Sequence, residues 1–374
     1  MADSRALTFF VVAGEESGDL HGSRLMRSLK KIHPSSRFIG HGGNRMKGEG
    51  LQILRHVDSL SMMGFSEVLK HLPFMIKVMG ETVKAIEKLR PDRVILIDYP
   101  GFNLRLAKRL KMSYIPITYF ILPQVWAWKE KRVEILKKYV NQSLCIFPFE
   151  QKWFEDRGVS VHYPGHPFSE QYFPEETKEA FFLRHNFEKS DPLLVLLPGS
   201  RQQEVDRHWS IFLKSVEFIK AENPNIQFCV AKSPAVTLNP IPSFIRTENK
   251  LTKCSILYAD AALSSSGTAT LECAVHDTPV VVCYRMSWFS WQIIKHLTNV
   301  PFASMVNLIA GKKIVPEFLQ TAMKPKLIAG SVLNLFNRSG ERKNMLLQFE
   351  AVRRSLGLPG VYDRAAEAVL NKHF

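Results

Sequence analysis

The stretch RVILIDYPGFNLRLAKRLKM, residues 93–112, contains the unit from which the rest of the fold can be read. Its first five residues are a short, largely apolar run rich in β-branched side chains, too brief for a buried helix and suited to a strand covered on both faces. Asp98, Tyr99, Pro100 and Gly101 then turn the chain, and apolar residues recur at helical spacing to Met112. The same change of period appears in LTFFVVAG followed by LHGSRLMRSLKKI, and in IPITYFIL followed by EKRVEILKKY. Strands alternating with helices in this way predict βα units and a parallel sheet.

At GHPFSEQYFPEE, residues 165–176, proline, glycine and charge interrupt the rhythm, which reads as a hinge. Alternation resumes with LLVLLPGS, WSIFLKSVEFIKAE, IQFCVA, AALSSS, TLECAV and PVVVCY, and the chain from about Lys326 to Phe374 reads as helices only. The expected fold class is α/β, with two Rossmann-like doubly wound parallel-sheet domains facing a cleft. The expected domains are residues 1–166 and 167–340. Helices in 341–374 are expected to pack back on the first domain or on a partner chain.

With 374 residues, 45% of them hydrophobic, the chain is long enough for two such cores. Fifty Lys and Arg against thirty-five Asp and Glu leave a formal charge of +15, which favours an anionic partner: nucleic acid, lipid headgroup or phosphorylated metabolite. The excess is concentrated between Leu104 and Lys138, where nine cations (Arg105, Lys108, Arg109, Lys111, Lys129, Lys131, Arg132, Lys137, Lys138) face only Glu130 and Glu134. Five cysteines without CxxC spacing read as reduced core residues, so neither a disulfide nor zinc is expected. The run near the N-terminus reads as a strand rather than a signal peptide, and no stretch is long and apolar enough to cross a bilayer.

In doubly wound sheets ligands bind beyond the carboxyl ends of the strands. Four polar loops fall there: GEESGD (14–19), IDYPGFN (97–103), PGSRQQEV (198–205) and SSSGTATLE (264–272). Each alone is compatible with ordinary turns and caps. Together the last two suggest a diphosphate site. A helix opened near Ser266, Gly267 and Thr268 would offer free N–H groups, Gly199 and Ser200 would let a phosphate approach, and Arg201 would supply a fixed charge. Glu272, one turn further along, would accept the hydroxyls of a ribose, or else merely bond a neighbouring backbone group or Arg285. Asp98, at a strand end, suits a general base or a helix cap. Glu15, Ser17 and Asp19 would bind sugar hydroxyls or cap a helix. His166 reads as a hydrogen-bonding hinge residue rather than a catalyst. No D-x-D pair and no His/Cys cluster suggests a metal or other cofactor.

SMMGFSEVLKHLPFMIKVMG, residues 61–80, carries a wide apolar surface that includes Met62, Met63, Phe65, Val68, Leu69, Leu72, Phe74, Met75 and Ile76, with Lys70, His71 and Lys77 nearby and Pro73 expected to interrupt the helix. It reads as a peripheral membrane-docking element, with a core-facing helix or a homodimer interface as alternatives.

VAGEESGD, GGNRM, MGFSEVL, IDYPGFN, VWAW, LLPGSRQQEV, SSGTATLE, YRM and NLIAG, in this order over nearly the whole chain, resemble the lipid-A-disaccharide synthases, inverting glycosyltransferases of the two-domain GT-B type. The resemblance implies UDP-2,3-diacylglucosamine as donor, 2,3-diacylglucosamine 1-phosphate as acceptor, a β-1′,6 linkage and release of UDP. It also implies work at the cytoplasmic face of the inner membrane, against anionic lipid. By position it makes Asp98 the candidate base, Arg201 the nucleotide-side arginine, Glu272 the ribose ligand and Asn307 an active-site asparagine. Leu122 stands where the family commonly has Ser, and Glu170 where Asp is usual. Other readings are another UDP-sugar transferase or a UDP-sugar 2-epimerase. A basic nucleic-acid-binding protein is suggested by charge alone, and no aromatic-basic interleaving supports it.

Overall fold

The structure, a computed structural model, describes residues 5–60, 68–288, 291–292, 300–337 and 340–371. Contacts divide the chain into one unit of Met1–Glu170 with Leu358–Phe374 and another of Gln171–Gly357. The division thus lies between Glu170 and Gln171, beyond the expected 166/167, and the segment 341–374 is split between the units.

The first unit holds a seven-stranded parallel sheet: Thr8–Val12 (β1), Arg37–Gly42 (β2), Leu51–His56 (β3), Arg93–Ile97 (β4), Ile117–Phe120 (β5), Gln142–Leu144 (β6) and Val161–His162 (β7). Their order is β3, β2, β1, β4, β5, β6, β7. The second holds six parallel strands: Leu193–Leu197 (β8), Gln227–Ala231 (β9), Ile245–Glu248 (β10), Ala261–Ser265 (β11), Val280–Tyr284 (β12) and Glu317–Leu319 (β13). Their order is β10, β9, β8, β11, β12, β13. Both sheets therefore reverse their winding once, between β1 and β4 and between β8 and β11, the points where doubly wound sheets open a crevice. All four polar loops singled out in the sequence leave these four strands.

The central strands are apolar because helices cover both faces. Phe9–Val12, Val94–Ile97 and Leu193–Leu196 are buried almost completely. All five cysteines are buried and unpaired.

The helix Gly340–Ser355 stays with the second unit, where Arg353 Nη1 donates to the Ala274 carbonyl at 3.0 Å. The helix Val361–Leu370 belongs to the first and packs against Glu16–Ile32. Its buried Ala365 and Ala366 permit close approach, His21 Nδ1 lies 2.8 Å from the Tyr362 hydroxyl, and Gln142 Nε2 donates to the Ala368 carbonyl at 2.7 Å. Glu170 Oε1 accepts from the N–H groups of Gly360 and Val361 at 3.1 and 2.7 Å, so the glutamate of the GHPFSE motif caps this returning helix.

Val68–Leu89 is helical through Pro73, contrary to the interruption expected there. Val78, Met79 and Ile86 bury their side chains in the core, which offsets the roughly 3 kcal/mol a helix-interior proline can cost. The apolar stretch divides: Phe74 and Met75 pack partly against the core, whereas Leu72 is 45% and Ile76 57% exposed. Met62, Met63 and Phe65 lie outside the described residues, as do the side chains of Val68 and Leu69.

Replacing Glu170 by Ala should remove the cap on Val361–Leu370 and cost about 1 kcal/mol. Urea unfolding should show this as a lower midpoint at unchanged slope, and an unchanged midpoint would mean that the cap contributes nothing.

Candidate active site

Asp98 follows β4 with φ of 44°, and Tyr99 follows with φ of 50°, two successive non-glycine residues in the left-handed region. The turn is held from several sides. Asp98 N–H donates to the Phe120 carbonyl at 3.1 Å, and the Asp98 carbonyl accepts from Tyr119 Oη at 2.6 Å and from Asn103 Nδ2 at 2.8 Å. Tyr119 and Asn103 are fully buried. The Tyr99 ring lies over Gly14, where a Cβ would come within 2.3 Å of it. The glycine of GEESGD is therefore a consequence of the tyrosine of IDYPGFN, and the two motifs meet at the β1/β4 switch point.

The Asp98 carboxyl is pushed up to about 6, first by burial and then by the charge of Glu15, against a lowering by the Tyr99 N–H. It can hold or release a proton near neutrality, as a general base must. Glu15 stands at the N-cap position of the helix Glu16–Ile32, exposed and without a side-chain capping bond, and Ser17 is exposed in the first turn. Asp19 is different. It is buried, and accepts from the N–H groups of Gly43 at 2.7 Å, Arg45 at 3.0 Å and Met46 at 3.0 Å. Its carboxylate organises the GGNRM turn and is not free for a sugar.

At the β8/β11 switch point, Gly199 and Gly267 have φ of 123° and 153°, backbone that a side chain would strain. Each precedes a helix N-terminus, Gln202–Glu222 and Thr268–Val275, with Ser200 and Arg201 completing the first turn and Ser266 the second. Arg201 is exposed and makes only a loose approach to Glu204 at 3.7 Å. Thr268 is exposed at the start of its helix. Two helix N-termini and one guanidinium thus gather at adjacent strand ends.

Glu272 is largely buried, and burial pushes its carboxyl up while Lys253 draws it down. The Lys253 ammonium, 3.7 Å away, gives charge compensation beyond hydrogen-bond distance. Among the described residues no hydrogen bond joins it to a backbone group or to Arg285. The Arg285 main chain instead meets His208, whose Nε2 lies 2.9 Å from Arg285 N and whose Nδ1 lies 3.2 Å from the Pro198 carbonyl. Neutral His208 thereby ties the loop after β8 to the loop after β12, its pKa lowered mainly by burial.

Asn307 is fully buried and saturated. Its Oδ1 accepts from Ile314 N and Val315 N at 2.7 and 2.9 Å, and its Nδ2 donates to the Val315 carbonyl at 3.1 Å and to Glu317 at 2.8 Å. Glu317 also accepts from Ala303 N and Ser304 N, and Ser266 Oγ donates to the Ala303 carbonyl at 2.5 Å. Asn307 therefore positions the turn beneath Ser266 and has no hydrogen-bonding capacity left for a nucleotide.

His166, also buried, accepts from Phe168 N at 3.0 Å and is held neutral, its pKa lowered to about 3 first by burial. The sequence reading passed over Lys253, His208 and Glu317, whose partners lie far along the chain. It also passed over Glu150, a fully buried acid that bonds Trp126 of the VWAW motif at 2.8 Å. Only its place in PFE, opening a helix after a strand, hinted at a cap. Among the described residues no group of three or more His, Cys, Asp or Glu is arranged to hold a metal ion.

Residues 9–368 match the family model described as Lipid-A-disaccharide synthetase. The chain belongs to that family. Lipid-A-disaccharide synthases of Myxococcus xanthus (strain DK1622) and Coxiella burnetii (strain RSA 331 / Henzerling II) are 37% and 32% identical to it, covering 96% and 97% of this chain and 96% and 98% of theirs. It is accordingly a glycosyltransferase of lipid A biosynthesis. Solved structures give the fold. A UDP-GlcNAc 2-epimerase from Neisseria meningitidis bound to UDP-GlcNAc superposes with TM-score 0.63 at 11% identity, and the calicheamicin glycosyltransferase CalG4 with 0.59 at 15%, each covering 98% of both chains. The two sheets are those of the GT-B architecture.

Asn307→Ala should leave Glu317 and the N–H groups of Ile314 and Val315 short of partners and cost about 1–3 kcal/mol per buried group left unpaired. Thermal melting of the free protein should show the loss without any nucleotide present. A variant as stable as the parent but weakened in UDP binding would return Asn307 to the ligand.

Proposed function

We propose that this synthase transfers 2,3-diacylglucosamine from UDP to the 6-hydroxyl of 2,3-diacylglucosamine 1-phosphate, forming a β-1′,6 linkage with inversion. The observation that carries this reading is Asp98: a partly desolvated carboxyl on a rigid turn at the switch point of the first sheet, pushed up to about 6. Asp98 takes the proton from the acceptor hydroxyl as that oxygen attacks C1 from the face opposite UDP. Glu15, whose charge reaches Asp98, and Ser17, in the first turn of the helix Glu16–Ile32, would meet acceptor hydroxyls.

On the donor side, Arg201 and the N–H groups opening Thr268–Val275, with Gly199, Ser200, Ser266 and Gly267, receive the diphosphate and stabilise the charge that develops as it departs. Glu272 accepts the ribose hydroxyls. Its support is a largely buried carboxylate whose counter-charge among the described residues, Lys253, lies 3.7 Å away.

Both substrates carry acyl chains, so we also propose that the enzyme works on the anionic cytoplasmic face of the inner membrane. No helix among the described residues is long and apolar enough to cross a membrane. The exposed Leu72 and Ile76 would enter the headgroup region. Their helix packs beside Pro100–Arg109, which in turn packs beside Val133–Tyr139. These segments and their flanks carry the nine clustered cations, all exposed except the half-buried Arg132. Each would add roughly 1 kcal/mol near an anionic surface.

Asp98→Asn should lower kcat by about 10²–10⁴ with little change in UDP affinity. In the parent, kcat/KM should decline as pH falls through about 6, because the protonated carboxyl cannot accept the proton. Glu15→Gln should move that limb to lower pH by removing a charge that raises Asp98. A limb that ignores Glu15, or substantial turnover by Asp98→Asn, would transfer the role elsewhere.

In flotation with anionic vesicles, Leu72→Ser combined with Ile76→Ser should reduce the bound fraction, and salt should reduce it further. Equal flotation accompanied by lost self-association would turn the patch into a protein interface.

A further inference from the structure

Three adjacent strands of the first sheet, β4, β5 and β6, end side by side. The Asp98 turn leaves β4, the loop carrying Trp126 leaves β5, and the turn Ile146–Phe147 leaves β6. Asp98 N–H bonds the Phe120 carbonyl at 3.1 Å, and Ile121 N–H bonds the Leu144 carbonyl at 3.0 Å, so the three ends are in register. Glu150 is buried completely among them. Its Oε1 accepts from Trp126 Nε1 at 2.8 Å, and its Oε2 from Phe147 N at 3.1 Å and Ile146 N at 3.2 Å.

Three donors converge on two oxygens. A glutamine could not replace this carboxyl, since its amide nitrogen would confront either the indole N–H or the two backbone N–H groups. A cap for the helix Pro148–Glu155 would need only the bond to Phe147. The bond to Trp126 goes further, fixing a loop that leaves the strand next to Asp98.

We propose that Glu150 is a positioning residue for the reaction at Asp98, clamping the loop after β5 to the turn after β6 beside it. This rests on the reading of Asp98 as the base. Burial is the main influence raising Glu150, to about 7; the Trp126, Phe147 and Ile146 bonds oppose it and the Asp98 charge adds to it. The Asp98 charge is thus one influence that disfavours ionisation of Glu150.

The other groups around the pair are Tyr119 on β5 with Arg132 acting on it, Cys145 at the end of β6 with Glu155 near it, Tyr163 after β7 with Arg364 near it, and neutral His166 against the Phe147 ring. Burial raises both tyrosines and the thiol, so they stay protonated through this range.

The test uses the intact enzyme and two readouts, the pH profile of turnover and the indole N–H resonance of Trp126. In the parent, kcat/KM should rise in two steps, near 6 and near 7, and the resonance should titrate with the upper one. In Glu150→Gln the upper step and the titration of the resonance should vanish, while kcat falls about tenfold and the donor KM stays within about twofold. Should Glu150→Gln fail to fold, Trp126→Phe keeps the ring without its N–H, and its upper step should move to higher pH because a bond to the ionised form is gone.

In Asp98→Asn the resonance should titrate at lower pH than in the parent, an outcome read without turnover. A resonance unmoved by Asp98→Asn, or Glu150→Gln with parental kcat and both steps, would overturn the proposal. Turnover surviving in Asp98→Asn while the resonance shifts as expected would instead refute only the assignment of the base.

Discussion

The chain leaves β4 through two consecutive left-handed residues, Asp98 and Tyr99, and the placement of the Asp98 carboxyl depends on that turn. For residues with a Cβ this backbone costs roughly 1–2 kcal/mol each. Hydrogen bonds from Tyr119 and Asn103 to the Asp98 carbonyl, each worth about 1 kcal/mol net, offset part of it, and the seat of the Tyr99 ring over Gly14 adds packing. Tyr99 Oη reaches the Leu60 carbonyl at 3.2 Å, so the turn is also joined to the segment that precedes the apolar helix. An aspartate on a relaxed helix N-terminus would be spent as a cap. Here Tyr99 holds the N-cap position of the helix Pro100–Arg109 without a side-chain cap bond, and the Asp98 carboxyl accepts from the Tyr99 N–H.

Acids in this protein divide by what their oxygens meet. Asp19, Glu150, Glu170 and Glu317 each accept two or more hydrogen bonds from backbone or side-chain donors and thereby shape a turn. Glu248 belongs with them. Burial opposes its charge, but N–H groups of Leu251 and Lys250, with Arg184 and His185, bring it down to about 2. Asp98 accepts from the Tyr99 N–H and Glu272 has Lys253 at 3.7 Å, too little to offset burial, which raises both. A carboxylate placed at a strand end and left short of donors is poised for a substrate, since folding has gained nothing from its polarity.

Much of this was legible from period and punctuation. Apolar runs such as RVILI and LLVLL became central strands, and the four polar loops proved to flank the two switch points because strand order places them there. What escaped the sequence depends on distant pairs. Nothing near Glu170 announces that Gly360 and Val361 will seat on it, nearly two hundred residues later, and so the return of the last helix was left open between this chain and a partner. Asn307 sits in a polar loop like a ligand, yet its amide is consumed by Ile314, Val315 and Glu317, a closure no motif encodes. Pro73 suggested a break because local propensity was weighed without the core that holds Val78 and Ile86.

The two sheets share one strand order but carry opposite chemistry at their switch points. The first presents the carboxyls of Glu15 and Asp98, and burial together with the Glu15 charge disfavours ionisation of Asp98. The second presents Arg201 and the amide groups ahead of Thr268, which favour negative charge. One architecture can serve both because the sheet supplies only position, and the loops supply sign. An inverting transfer needs a base where the acceptor hydroxyl is activated and positive potential where the diphosphate departs. Crowding both into one loop cluster would pair the arginine with the base, drawing the carboxyl down and weakening it as a proton acceptor. On the first sheet burial holds Asp98 near 6, and on the second Arg201, among the described residues, makes a 3.7 Å approach to Glu204.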